Sequence, residues 1–121
     1  EWDTQWDMFL ALTGAITVAL GKHTTGLFGT PDWWVELVRR TGDRSGDRMW
    51  QLPLFDEYRE QLKSEIADMV NTGGRPGGSI TAAMFLKEFT GGLPWAHLDV
   101  AATAWADEAT PYMPKGPTGV A

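Results

Sequence analysis

Cysteine is absent from the 121 residues, which excludes disulfides, thiolate catalysis and cysteine-based zinc sites together. That absence fits a reducing compartment, so the cytoplasm is the expected location. No apolar run reaches the roughly 18 residues of a membrane-spanning helix, and the opening Glu1-Trp2-Asp3 lacks the basic region of a secretory signal. No membrane association is expected. Positive charge is scarce as well, with ten Lys and Arg against sixteen Asp and Glu, a formal net charge of −6. A protein that displaces counterions from nucleic acid needs a basic face, so nucleic acid is not an expected partner. The only serines are Ser45, Ser64 and Ser79. None lies in a Gly-x-Ser-x-Gly elbow, and no nucleophile with a base and an orienting group is apparent, which disfavours a stand-alone hydrolase of that kind.

Hydrophobic residues at 43% and charged residues at 21% are ordinary for a globular chain and indicate neither disorder nor a fibrous repeat. A chain this long buries roughly two-thirds of its unfolded surface around one core. Apolar runs from Met8 to Leu12 and from Ala15 to Leu20, separated by Thr13-Gly14 and closed by Gly21, predict a buried strand, a tight turn and a short helix. Thr30-Pro31-Asp32 is a helix start in which Thr caps, Pro takes the first position and Asp complements the dipole. Arg39 and Arg40 followed by Gly42 predict its end, giving about ten residues. Trp33 or Trp34, Leu37 and Val38 would form the buried face.

After Pro53, the stripe Tyr58, Leu62, Ile66 and Met69 or Val70 has helical spacing and ends at Gly73-Gly74. A further helix, capped by Ser79 or Thr81 and running to about Phe89, is apolar nearly all round and is expected to be buried. Trp95 to Ala101 alternates as a strand, with Trp95, His97 and Asp99 on one side. The tail, with Pro111, Pro114 and Pro117, reads as a loop leading to no further element. Helices alternating with short apolar strands predict an α/β fold, a layered sheet with flanking helices, in one domain over residues 1–121.

Several constellations invite a chemical reading and have a simpler one. His97 and Asp99 offer two metal donors, but a site needs a third and His23 is distant in sequence; a hydrogen-bonded pair at a strand end is the simpler account. The Gly73 to Gly78 loop before a helix resembles an anion cradle yet lacks the Gly-Lys-Ser/Thr signature. Lys63 and Lys115 read as solvated surface lysines rather than polarising cations. Trp2, Trp6, Trp33 and Trp34 suit either packing or a partner surface.

Taken together, several blocks resemble the leucyl (cytosol) aminopeptidase family. They are Leu12-Thr13-Gly14-Ala15, Thr25-Gly26-Leu27-Phe28, Thr41-Gly42-Asp43-Arg44, Gly46-Asp47-Arg48-Met49-Trp50 and Leu52-Pro53-Leu54-Phe55-Asp56-Glu57-Tyr58. Further along come Gly73-Gly74-Arg75-Pro76-Gly77-Gly78 with Ile80-Thr81-Ala82-Ala83, then Trp95-Ala96-His97-Leu98-Asp99 and Lys115-Gly116-Pro117-Thr118-Gly119. Residues 1–7 are a divergent Trp-rich start. The resemblance implies a partial catalytic domain of a hexameric exopeptidase that removes N-terminal residues from peptides with two divalent metals, zinc or manganese. It also implies that the metal motif, Asn-Thr-Asp-Ala-Glu-Gly-Arg in that family, lies upstream of residue 1, so no metal ligand and no catalytic residue is expected in this chain.

What the resemblance carries over is the substrate pocket: Leu12, Thr13 and Gly14 through backbone contacts, and Ala101 and Ala104 as specificity walls. Ala11 stands where Thr is usual. Ala104 is smaller than the Met of some relatives, which leaves side-chain preference open. Relatives continue past the Lys-Gly-x-Thr-Gly loop. A domain lacking pieces at both ends should expose apolar surface, so a complementing N-terminal half or self-association is expected. The chain alone is expected to be inactive, and the alternative is a non-catalytic assembly or scaffold domain on the same fold.

Overall fold

A computed structural model describes residues 19–63, 69 and 77–120. The first strand, β1 (Thr25–Thr30), is flanked by β2 (Met49–Gln51) and β3 (Trp95–Asp99) in a sheet of order β2-β1-β3. β1 runs parallel to β2 and antiparallel to β3, with Gly26 opposite Asp99 and Phe28 opposite His97. Because side chains alternate along a strand, Leu27 and Phe28 leave β1 on opposite faces, and both are fully buried.

Each face is covered by a helix, α1 (Asp32–Ser45) or α2 (Gly78–Lys87). α1 packs on the Leu27 side, where Gly29 lets it approach closely: a Cβ there would sit 2.9 Å from Val35 Cγ2 and 2.4 Å from the Trp95 carbonyl oxygen. α2 packs on the Phe28 side, in a core of Phe28, Ala83 and Ala102 joined by Leu20, Leu52, Leu54, Ile80 and Trp95. The arrangement is three layers, helix on sheet on helix, as the α/β expectation required. β1 is buried on both faces, so it shows no polar alternation and is legible only as a block matching a known family.

Three helix boundaries differ from the sequence expectation. α1 continues past Gly42 to Ser45 and ends at Gly46, whose φ of 89° is the left-handed cap. Gly42 serves close packing instead. It is buried in the helix, and a Cβ there would lie 2.6 Å from the Asp47 carbonyl oxygen. Its absent side chain lets the loop to β2 close down on the helix. The buried stripe is Val35 and Gly42 with Trp34 and Val38 partly buried, while Leu37 faces out. Thr30 makes no side-chain cap; the amides of Trp34 and Val35 donate to the Pro31 carbonyl.

The segment after Phe55 is a 3₁₀ helix, Asp56–Leu62, bounded by i→i+3 bonds from the Tyr58 amide to the Phe55 carbonyl and from the Lys63 amide to the Glu60 carbonyl, and it ends where Lys63 leaves helical geometry. Leu62 is buried as expected; Ile66 and Val70 lie outside the described residues, as do Gly73 to Pro76. α2 begins after Gly77, at φ 66°, with no side-chain cap from Ser79 or Thr81. Ser79, Thr81, Ala83 and Met84 are buried, whereas Leu86 and Phe89 are 40% and 71% exposed. Only one side of this apolar helix meets the sheet, which corrects the expectation that it is buried all round.

The tail does form structure. β4 (Trp105–Ala106) and β5 (Gly116–Pro117) pair antiparallel, and the Thr118 amide donating to the Ala104 carbonyl at 2.9 Å extends the ladder. Proline there removes one donor, but an edge strand of two residues tolerates it.

Candidate functional site

Of the residues singled out for substrate contact, Leu12, Thr13 and Gly14 lie outside the described residues, as do the strand and most of the short helix expected before Gly21 and the Trp-rich residues 1–7. Ala101 and Ala104 lie together on the turn that follows β3. The turn is helix-like: the amides of Thr103 and Ala104 both donate to the Val100 carbonyl, at 3.0 and 2.8 Å. Ala102 points inward and is 7% exposed in the core with Phe28 and Ala83. Ala101 and Ala104 are partly buried, so this short stretch alternates between anchoring and surface-lining methyl groups.

Several groups brace the turn. Asp99, at the end of β3 and 6% exposed, accepts a hydrogen bond from the Ala101 amide on Oδ1 at 3.2 Å. Its Oδ2 is buried without a hydrogen-bond partner. Thr25, first residue of β1, places its hydroxyl 3.0 Å from that of Thr103. Thr118 donates its hydroxyl to the Thr103 carbonyl at 2.7 Å. An exposed ion pair between Lys22 and Asp107 joins the approach to β1 to the chain after β4. Thr25, Thr103 and Thr118 do not stand out in the sequence; the only signal is that Thr25 and Thr118 fall inside matching blocks.

His97 shares a sheet face with Asp99 and Phe28. It stacks on Trp95 with centroids 6.3 Å apart and lies against Phe28 at 5.9 Å. Burial pushes its pKa below the usual imidazole range, and the Asp99 carboxylate offsets this only in part. The ring is therefore neutral at pH 7 and acts in packing. Among the described residues no group of three or more His, Cys, Asp and Glu side chains is placed to hold a metal. The residues described do not fit a dinuclear centre.

Other charged groups belong to the surface. Glu36 accepts hydrogen bonds from Arg39 and Arg40 on α1, which hold its carboxyl down to about 2. Arg59 grips Glu88 with two hydrogen bonds of 2.6 and 3.0 Å, tying the 3₁₀ helix to the end of α2. Lys63 and Lys115 are exposed, as expected of solvated lysines. A depression of about 580 Å³ lies at Leu54, Phe55, Asp56, Glu57 and Glu60, and others of about 530 Å³ adjoin Trp50 and Pro53; none of the three touches Ala101 or Ala104. No helix of the described residues is long and apolar enough to cross a membrane.

Comparison with known proteins agrees with this arrangement. Residues 8–121 match the cytosol aminopeptidase family, catalytic domain. A probable cytosol aminopeptidase of Geobacter sp. (strain M21) is 54% identical over 109 residues, covering 90% of this chain and 22% of that protein. One from Solibacter usitatus is 56% identical over 109 residues, 90% of this chain and 23% of that protein. Among solved structures, a tomato leucine aminopeptidase mutant superposes with a TM-score of 0.80 at 42% identity, over 91% of this chain and 21% of that one. The bottromycin maturation enzyme BotP in complex with Mn gives 0.81 at 43% identity, over 92% of this chain and 25% of that one. The chain thus spans between a fifth and a quarter of the length of these relatives, and within that span it belongs to the cytosol aminopeptidase family as part of the catalytic domain.

Proposed function

We propose that this chain supplies the specificity wall of a metal-dependent aminopeptidase that removes N-terminal amino acids from peptides in the cytoplasm, working together with a metal-bearing N-terminal half. The observation that carries the reading is the braced turn Val100–Ala104, whose two partly buried alanines stand on a scaffold more than half identical to cytosol aminopeptidases. In this reading Ala101 and Ala104 set the space open to the substrate's side chain, and the backbone of Leu12, Thr13 and Gly14 orients the peptide. Two divalent ions, zinc or manganese, belong to the complementing portion. In this reading the turn shapes the pocket and carries no catalytic group, and the chain by itself is inactive.

Exposed apolar residues support the need for a partner. Phe89, Leu93, Trp105 and Tyr112 are each more than half exposed, and large apolar side chains left open to solvent favour association where they form a patch. The partner is either the complementing half or further copies, up to the family's hexamer. A scaffold domain without catalysis would use the same surface. Hydrolysis of a leucine anilide separates the two. The chain alone should show none, and addition of a polypeptide carrying the Asn-Thr-Asp-Ala-Glu-Gly-Arg motif of a relative should produce turnover. A stable complex that never turns over would reject the enzymatic reading and leave the scaffold.

A further inference from the structure

The turn that carries Ala101 and Ala104 is held from outside by one residue of the tail. The peptide plane before Ala104 contains the Thr103 carbonyl, which accepts the Thr118 hydroxyl at 2.7 Å. The plane after Ala104 contains its own carbonyl, which accepts the Thr118 amide at 2.9 Å. Fixing both planes that flank a Cα fixes the direction of its Cα–Cβ bond, since the backbone has only two soft torsions per residue. Thr118 therefore aims the Ala104 methyl group. Thr103 is also tied to β1 through the Thr25 hydroxyl, so the turn is clamped between the central strand and the tail.

We propose that Thr118 is a positioning residue that sets side-chain specificity, acting through Thr103 and Ala104 without touching substrate. The proposal rests on the reading that Ala104 lines the specificity pocket. A hydroxyl at this position is required for it, because valine has the same shape as threonine and cannot donate, while serine keeps the donor.

The test begins with the full chain and amide exchange of Thr118→Val and Thr118→Ser. In T118V the Ala104 amide should exchange roughly three- to tenfold faster, the range one net hydrogen bond supplies. The Leu52 amide, which donates to Leu27 across the β1 and β2 layer, should be unchanged, and T118S should exchange as the parent does. Unchanged protection at Ala104, or an equal loss at Leu52, would overturn the proposal. In the complex with the metal-bearing polypeptide, T118V should lower the preference for leucine over alanine anilide mainly through KM, with kcat retained and T118S restoring the ratio. An unaltered ratio would also overturn it. If instead Ala104→Met leaves substrate preference unaltered, the pocket assignment fails on its own, and the exchange experiment still decides whether Thr118 orders the turn.

Discussion

Gly29→Ala is the sharpest test of the layered packing that supports the site. The added Cβ would stand 2.4 Å from the Trp95 carbonyl oxygen, 2.9 Å from Val35 Cγ2 and 3.2 Å from the Ala96 Cα. Two of these atoms are backbone of β3, which pairs with β1 along its length and cannot yield without breaking the ladder. Overpacking costs about 1–3 kcal/mol where side chains can rearrange, and the backbone obstruction places this case at about 3 kcal/mol. For a chain of this length about 4 °C is lost per kcal/mol, so the melting midpoint should fall by about 12 °C. Gly91→Ala provides the control. Its φ of +62° faces open space, so only the left-handed backbone penalty of about 1 kcal/mol applies, near 4 °C. Thermal melts by circular dichroism read both. A Gly29→Ala midpoint within about 2 °C of the parent would show that α1 does not approach the sheet as described.

Two further outcomes are expected. Ala104→Met in the completed enzyme should change the ratio of kcat/KM for leucine over alanine substrates by roughly tenfold or more, since about 1–3 kcal/mol attends each methylene of change in a pocket; kinetics with both anilides would show it, and an unchanged ratio would contradict it. His97 is neutral in the folded chain with its pKa depressed by burial, whereas the unfolded imidazole titrates near 6.5. Its contribution is therefore complete above pH 6.5 and is lost as pH falls from there through the depressed value. Urea midpoints measured between pH 7.5 and 5.5 should decline for the parent and decline less for His97→Asn, and equal slopes would contradict the assignment.

Local signals in the sequence locate elements better than they locate their ends. Pro31-Asp32 marks the start of α1 because helix initiation is written in a few adjacent residues. The end of α1 is not legible in the same way, because a glycine such as Gly42 serves equally for a left-handed cap and for close packing, and only the position of Asp47 and Met49 distinguishes them. The alternation of β3 is visible because Trp95, His97 and Asp99 take the face of Phe28 while the small and apolar Ala96 and Leu98 take the other. The pairing of β4 with β5 is not, since a two-residue ladder leaves no period to detect. Ala101 and Ala104 come from family likeness and not from their chemistry, as alanine carries none. The brace around them is illegible because it joins Thr103 to Thr25, 78 residues away, and to Thr118, 15 residues away. Such hydroxyl contacts have no sequence spacing of their own.

Metal content tests the central claim most directly. Purified chain equilibrated with zinc or manganese and then dialysed should retain neither in stoichiometric amount, and should acquire ions only in complex with the metal-bearing polypeptide. Two tightly held ions per molecule of this chain alone would contradict the division of labour proposed between its specificity wall and a separate catalytic centre.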